Sequence, residues 1–141
     1  DRQELEEYVK KLGLENNVIF TARLSCRDEI AALLQISDLF LFPSLYDTNS
    51  LVQIEAASQK TPSLLIKGSV TAFGLEDGKH CFLSDYDVDK YSSKILEISN
   101  KENLKKMGEL AYKNMYRTWE NSHNILYNLM IKLIEENKNW G

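Results

Sequence analysis

Residues 43–68 read PSLYDTNSLVQIEAASQKTPSLLIKG, and this stretch decides the fold. It follows Leu39-Phe40-Leu41-Phe42, four consecutive large apolar residues, and it holds a second apolar run over residues 62–66. Continuous apolar runs without alternation predict strands buried on both faces. Between them lie a small polar loop, residues 44–49, and a helix of about ten residues from Ser50. Strand, loop, helix and strand in that order form one parallel crossover unit.

The pattern extends in both directions. Upstream, Leu5, Tyr8, Val9 and Leu12 are spaced as one apolar helix face, closed at Gly13 by a left-handed cap. Asn16-Asn17 turns into a predicted strand, Val18-Ile19-Phe20. Ser25 with Asp28 predicts a capping box for a helix carrying Ile30, Leu33 and Leu34. Downstream, Gly68 starts a long loop, Asp77-Gly78 a turn, and Cys81-Phe82-Leu83 a short strand. Val88, Tyr91, Ile95 and Ile98 mark one helix and residues 104–116 another. Thr118 caps a last helix carrying Ile125, Leu126, Leu129, Leu133 and Ile134. Short strands alternating with helices predict an α/β fold, a mostly parallel sheet with helices on both faces.

The 141 residues have the size of one domain, and 43% hydrophobic with 27% charged residues is an ordinary globular composition. A net charge of −4 gives no electrostatic footprint for nucleic acid. No apolar run approaches the roughly 20 residues of a membrane span, and the N-terminus does not resemble a signal peptide. Cys26 and Cys81 lack metal-ligand spacing and read as free thiols, which predicts a cytoplasmic setting. An α/β domain more often opens on a strand than on a helix, so a piece of a longer protein is expected.

Ligands of open parallel sheets bind beyond the carboxyl ends of the strands. The loop 43–50 lies at such an end and runs into a helix whose first amides lack intrahelical partners, an anion site by its nature. Its Asn and Ser are equally ordinary N-cap residues. Asp47 and Glu55 frame the loop with seven residues between them. Glu55 sits among Leu51, Val52, Ile54, Ala56 and Ala57, where a carboxylate needs a partner or a ligand. It suits a ribose diol, but it is also a good helix former that can face solvent or pair with a lysine.

Pro43-Ser44, Asp47, Leu51-Val52, Glu55-Ala56-Ala57 and Thr61-Pro62 together resemble the motif of the group 1 family of GT-B glycosyltransferases. Phe20-Thr21-Ala22-Arg23-Leu24, Ser37-Asp38-Leu39-Phe40, Asp77-Gly78, Phe82-Leu83, Asp87 and Trp119-Glu120 extend the resemblance over nearly the whole chain. It implies the C-terminal half of a GT-B fold, a single but partial nucleotide-sugar donor-binding domain over residues 1–141. The facing acceptor domain is absent, and so are the strands and basic pair that open the family's donor domain, so little activity is expected of this chain alone.

Carried over by position, Glu55 binds ribose and Asp47 contacts the donor sugar. The amides of Asn49, Ser50 and Leu51 receive the diphosphate. Thr48 and Arg23 are candidate base or phosphate contacts. The implied reaction moves a sugar from a UDP- or GDP-sugar, with retention, to an acceptor in cell-surface polysaccharide or glycolipid synthesis, and it needs no cofactor or metal. The implied partners are that donor and the missing domain in cis, through which the full-length protein meets the inner face of the membrane.

Three departures stand out. Asp47 is a methylene shorter than the family's glutamate, Ser50 replaces a common glycine, and Lys60 occupies a left-handed cap position at a cost of about 1 kcal/mol. His80 and His123 are read as structural. Alternatives are a non-enzymatic α/β binding module and a GT-B nucleotide-sugar epimerase.

Overall fold

A computed structural model describes residues 2–47 and 51–138. Three strands, β1 (Phe40–Phe42), β2 (Ser63–Ile66) and β3 (Phe82–Ser84), form a parallel sheet in the order β1-β2-β3. Six helices accompany them among the described residues: α1 (Arg2–Lys11), α2 (Arg27–Ile36), α3 (Leu51–Ser58), α4 (Val88–Ile98), α5 (Lys101–Met115) and α6 (Trp119–Lys138).

Register divides the core in two. Leu64 lies opposite Phe82, so both point to one face, where Ile98, Leu104 and Met107 of α4 and α5 cover them. Leu65 lies opposite Leu83 on the other face, packed with Cys81, Ala72 and Leu75 from the β2–β3 crossover. Strand β2 is buried at all four positions, as its continuous apolar run predicts. Helix α3 packs against α2, α5 and β2. Its Ala56 and Ala57 are buried without remainder, and the Thr61 hydroxyl donates to Leu34 O at 2.7 Å.

Three expectations need correction. Strand β1 is not buried on both faces: Leu41 is 45% exposed, and β1 pairs with β2 on one edge only among the described residues. Residues 18–20 form no strand and Ile19 is 88% exposed. Extended backbone becomes a strand only when a neighbour completes its ladder, and none does so among the described residues. The Ser25 capping box is replaced by an N-cap at Cys26 with no side-chain hydrogen bond.

Other termini follow the sequence. Gly13 is left-handed (φ 69°), Thr118 Oγ1 accepts from Asn121 N–H at 3.1 Å, and Asp87 caps α4 through Lys90 N–H at 2.9 Å. Asn100 caps α5 by accepting from Glu102 and Asn103, a cap that starts α5 three residues ahead of the predicted one. The predicted apolar faces of α1 and α6 exist, yet Leu5, Tyr8, Leu126 and Leu129 stay exposed among the described residues.

Candidate functional site

The carboxyl ends of β1 and β2 meet at one edge, and two loops are joined there. Val70 N–H donates to Leu45 O at 2.9 Å, which ties the loop after β1 to the loop after β2. The Ser69 hydroxyl donates to Ile66 O at 2.7 Å and accepts from Ala72 N–H at 3.1 Å, so the second loop closes on its own strand. These bonds fix the backbone on either side of the entrance to α3.

Helix α3 starts at Leu51, whose side chain is largely exposed. Glu55 lies one turn further on and is half-buried. Its carboxylate makes no hydrogen bond or ion pair among the described residues. The lysine pairing that the sequence left open is therefore not made: Lys60, five residues on, pairs with Glu109 at 3.0 Å instead. Asp47 is exposed and equally without a partner among the described residues. Arg23 is exposed on the segment leading into α2, with no ion pair among the described residues. That segment is held from the other side, where Arg2 donates to Thr21 O at 3.2 Å and lies over the Phe20 ring. The expected contacts of Thr48, Asn49 and Ser50 lie outside the described residues.

The sequence reading passed over two features at this edge. Lys67 directly follows β2, exposed, with its amide donating to Ser84 O at 2.8 Å. The signal was a cation placed immediately after a fully buried strand, at the ligand-binding edge. The second feature is a cavity of about 570 Å³ whose wall includes Pro43, Ile66, Tyr86 and Tyr91. The Tyr91 hydroxyl donates to Leu64 O at 2.9 Å, and burial pushes its pKa up to about 12, so it serves as a fixed wall.

Two charges beside the edge pair with each other. Lys90 donates to Asp85 at 2.7 Å, which holds the Asp85 carboxyl below its usual range and the Lys90 ammonium above its own. Both are exposed, and exposed pairs add little stability. Cys81 is no candidate nucleophile: desolvation, helped by the charge of Asp77, raises its thiol to about 12. His80 Nδ1 accepts from Glu76 N–H at 3.0 Å, a turn-closing role, and His123 is exposed on α6. Among the described residues no three His, Cys, Asp or Glu side chains cluster as a metal site would, and no helix is long and apolar enough to cross a membrane.

Known proteins resemble this chain over most of its length. The family model described as glycosyl transferases group 1 matches residues 1–114. A mannosylfructose-phosphate synthase from Agrobacterium fabrum is 29% identical over 82 residues, 58% of this chain and 18% of that protein. Two solved structures share the fold. The C-terminal domain of a group 1 glycosyl transferase from Francisella tularensis superposes with a TM-score of 0.69 at 22% identity, covering 79% of this chain and 58% of that one. Sucrose-phosphate synthase from Thermosynechococcus elongatus gives 0.76 at 19% identity, covering 96% of this chain and 35% of that one. The chain thus spans under a fifth of the length of the curated relative.

Proposed function

The chain belongs to the group 1 glycosyl transferases, and from that premise we propose that it forms the nucleotide-sugar half of a retaining glycosyltransferase. The observation that carries this reading is Glu55. A half-buried carboxylate with no partner among the described residues is expensive unless a ligand supplies the hydrogen bonds. A ribose 2′,3′-diol offers two hydroxyl donors to its two oxygens.

In this reading the first amides of α3, with Asn49, Ser50 and Leu51, take the diphosphate, and Thr48 lies beside it. Charge grows on the departing diphosphate as the sugar leaves, so preorganised amides there favour the transition state over the ground state. Asp47 faces the donor sugar, and its short side chain narrows which hydroxyl it reaches. Arg23 contacts the base or a phosphate. The donor is a UDP- or GDP-sugar, and no metal or other cofactor takes part. The acceptor, a component of surface polysaccharide or glycolipid, is held by a second domain in cis across the cleft. The full-length protein works in the cytoplasm, with membrane contact made through that domain.

Titration of the chain with UDP and GDP, followed by amide chemical shifts, tests the assignment. Saturable shifts at Leu51 and Glu55 are expected, weakened about 10- to 100-fold in Glu55→Ala, the loss of a charge-assisted hydrogen-bond pair. A chain whose α3 amides stay still at millimolar nucleotide is a binding or assembly module of another kind, and the proposal falls.

A further inference from the structure

A second cavity lies on the far side of α3. Two residues apart on a helix point about 200° apart, so Gln53 faces away from Glu55. Gln53 is buried, 4% exposed, and its amide nitrogen donates to Thr71 O at 3.2 Å. Together with Thr71, His80, Asn114 and Arg117 it lines a cavity of about 550 Å³, within the usual range of small-molecule sites. The remaining wall is apolar, with Phe73 at 88% exposure offering a nearly free ring face.

The polar groups of this wall are left with capacity to spare. Thr71 is 6% exposed, and its buried hydroxyl has no hydrogen-bond partner among the described residues. Arg117 makes no ion pair among the described residues. His80 uses Nδ1 as acceptor for Glu76 N–H, so the neutral ring carries its proton on Nε2 and has a donor to give. Asn114 spends its amide nitrogen on Lys79 O at 3.1 Å, and Gln53 spends its own on Thr71, which leaves two amide oxygens as acceptors. One cation, one further donor and two acceptors match an oxyanion carried on a hydroxylated body.

We propose that this cavity, bounded by Gln53, Thr71, His80, Asn114 and Arg117, binds a small hydroxylated phosphate monoester at a site separate from the nucleotide edge. Arg117 and His80 take the phosphate, and the amide oxygens of Gln53 and Asn114 accept from hydroxyls. Occupation would brace the β2–β3 crossover against α3, because the cavity wall is contributed by both.

Glucose 6-phosphate, glucose and inorganic phosphate, each titrated into the 141-residue chain with amide shifts as readout, test this. Glucose 6-phosphate is expected to give saturable shifts at Thr71, His80 and Asn114 below about 10 mM, with glucose giving none. Arg117→Gln, an exposed position, should weaken binding roughly ten-fold. No saturable shift, or an affinity unchanged by Arg117→Gln, overturns the site. Inorganic phosphate binding as tightly as glucose 6-phosphate overturns the hydroxyl recognition assigned to Gln53 and Asn114. Glu55→Ala should leave the glucose 6-phosphate response intact, so failure of the nucleotide site and failure of this one are read separately.

Discussion

Gly108 in the middle of α5 is where that helix meets the turn after α3 too closely for any side chain. A Cβ built on Gly108 lies 1.9 Å from the carbonyl oxygen of Lys60 and 2.9 Å from its carbon. An ordinary carbon–oxygen contact is about 3.3 Å, so Gly108→Ala demands a separation of roughly 1.4 Å. The obstacle is backbone and cannot swing aside. Lys60 N–H donates to Ala57 O at 3.0 Å and Thr61 N–H to Ala56 O at 2.9 Å, which clamps that carbonyl between the end of α3 and the start of β2. Moving α5 instead withdraws Met107 and Ala111 from the core. Overpacking of this kind costs about 1–3 kcal/mol, and a backbone obstacle puts it at the upper end. Alanine returns about 1 kcal/mol of helix propensity. The net expectation is a loss of about 2 kcal/mol, or about 5–8 °C in Tm at this chain length. Urea denaturation followed by far-UV circular dichroism measures it. A Gly108→Ala protein as stable as the parent would mean that α3 and α5 do not meet at Lys60, and the packing described for the two helices would be wrong.

Lys60 itself has φ 61°, as the left-handed cap reading of the sequence predicts, and it holds Glu109 and lies 5.5 Å from the Tyr112 ring centre. Lys60→Gly relieves the backbone, whereas Lys60→Ala loses the contacts without relief. The glycine variant should therefore be the more stable of the two by about 1 kcal/mol, and equal denaturation midpoints would refute this. Cys81 gives an alkaline signature. Its thiol is raised in the folded protein to about 12, so the stability it contributes is complete below the unfolded thiol pKa and is lost as pH rises toward 12. Above about pH 9 the parent should lose up to about 1.4 kcal/mol per pH unit relative to Cys81→Ala, measured as the difference between their urea midpoints at each pH. Parallel curves across that window would rule out the buried thiol as the source.

Legibility in the sequence followed locality. Strand β2, helix α3 and the Asp77-Gly78 turn were readable because each is specified by its own residues: three consecutive large apolar residues after a proline, an apolar helix, a left-handed glycine at φ 74°. Strand β1 was only half-readable, since four apolar residues say that a strand forms but not whether its outer edge is covered. The same limit applies to residues 18–20, whose fate depends on a partner strand. The Ser25 box failed by a smaller margin. Helix α2 begins at Arg27 after an extended Cys26 (φ −91°, ψ 127°), so the serine falls one residue outside its cap position. Asn100 is the converse, a cap overlooked because the helix it opens begins with polar residues. Gly108 carried a signal that went unused: a lone glycine inside a helical pattern implies close backbone approach.

At the site, the carboxylates were legible as residues while their surroundings were not. Sequence left Glu55 with two bland outcomes, a lysine partner or free solvation. The structure removes the first, because Lys60 is committed to Glu109, and half-burial weakens the second. Glu55 is then a half-buried carboxylate with no partner among the described residues, on a helix whose other end is packed into the core. The C-terminal end of α3 is held by Ala56 and Ala57 in the core, by the Thr61 hydroxyl on Leu34 O and by the Gly108 contact. Its N-terminal end carries the exposed Leu51, and Glu55, one turn further in, has no partner among the described residues. Anchoring one end and leaving polar capacity at the other is how a scaffold holds a binding group in position before the ligand arrives. The cost of an unsatisfied group is tolerated there because the packed end supplies the stability. Gln53, on the opposite side of α3 from Glu55, and Thr71 of the β2–β3 crossover line the second cavity, so in the proposed reading one short helix contributes to two separate sites.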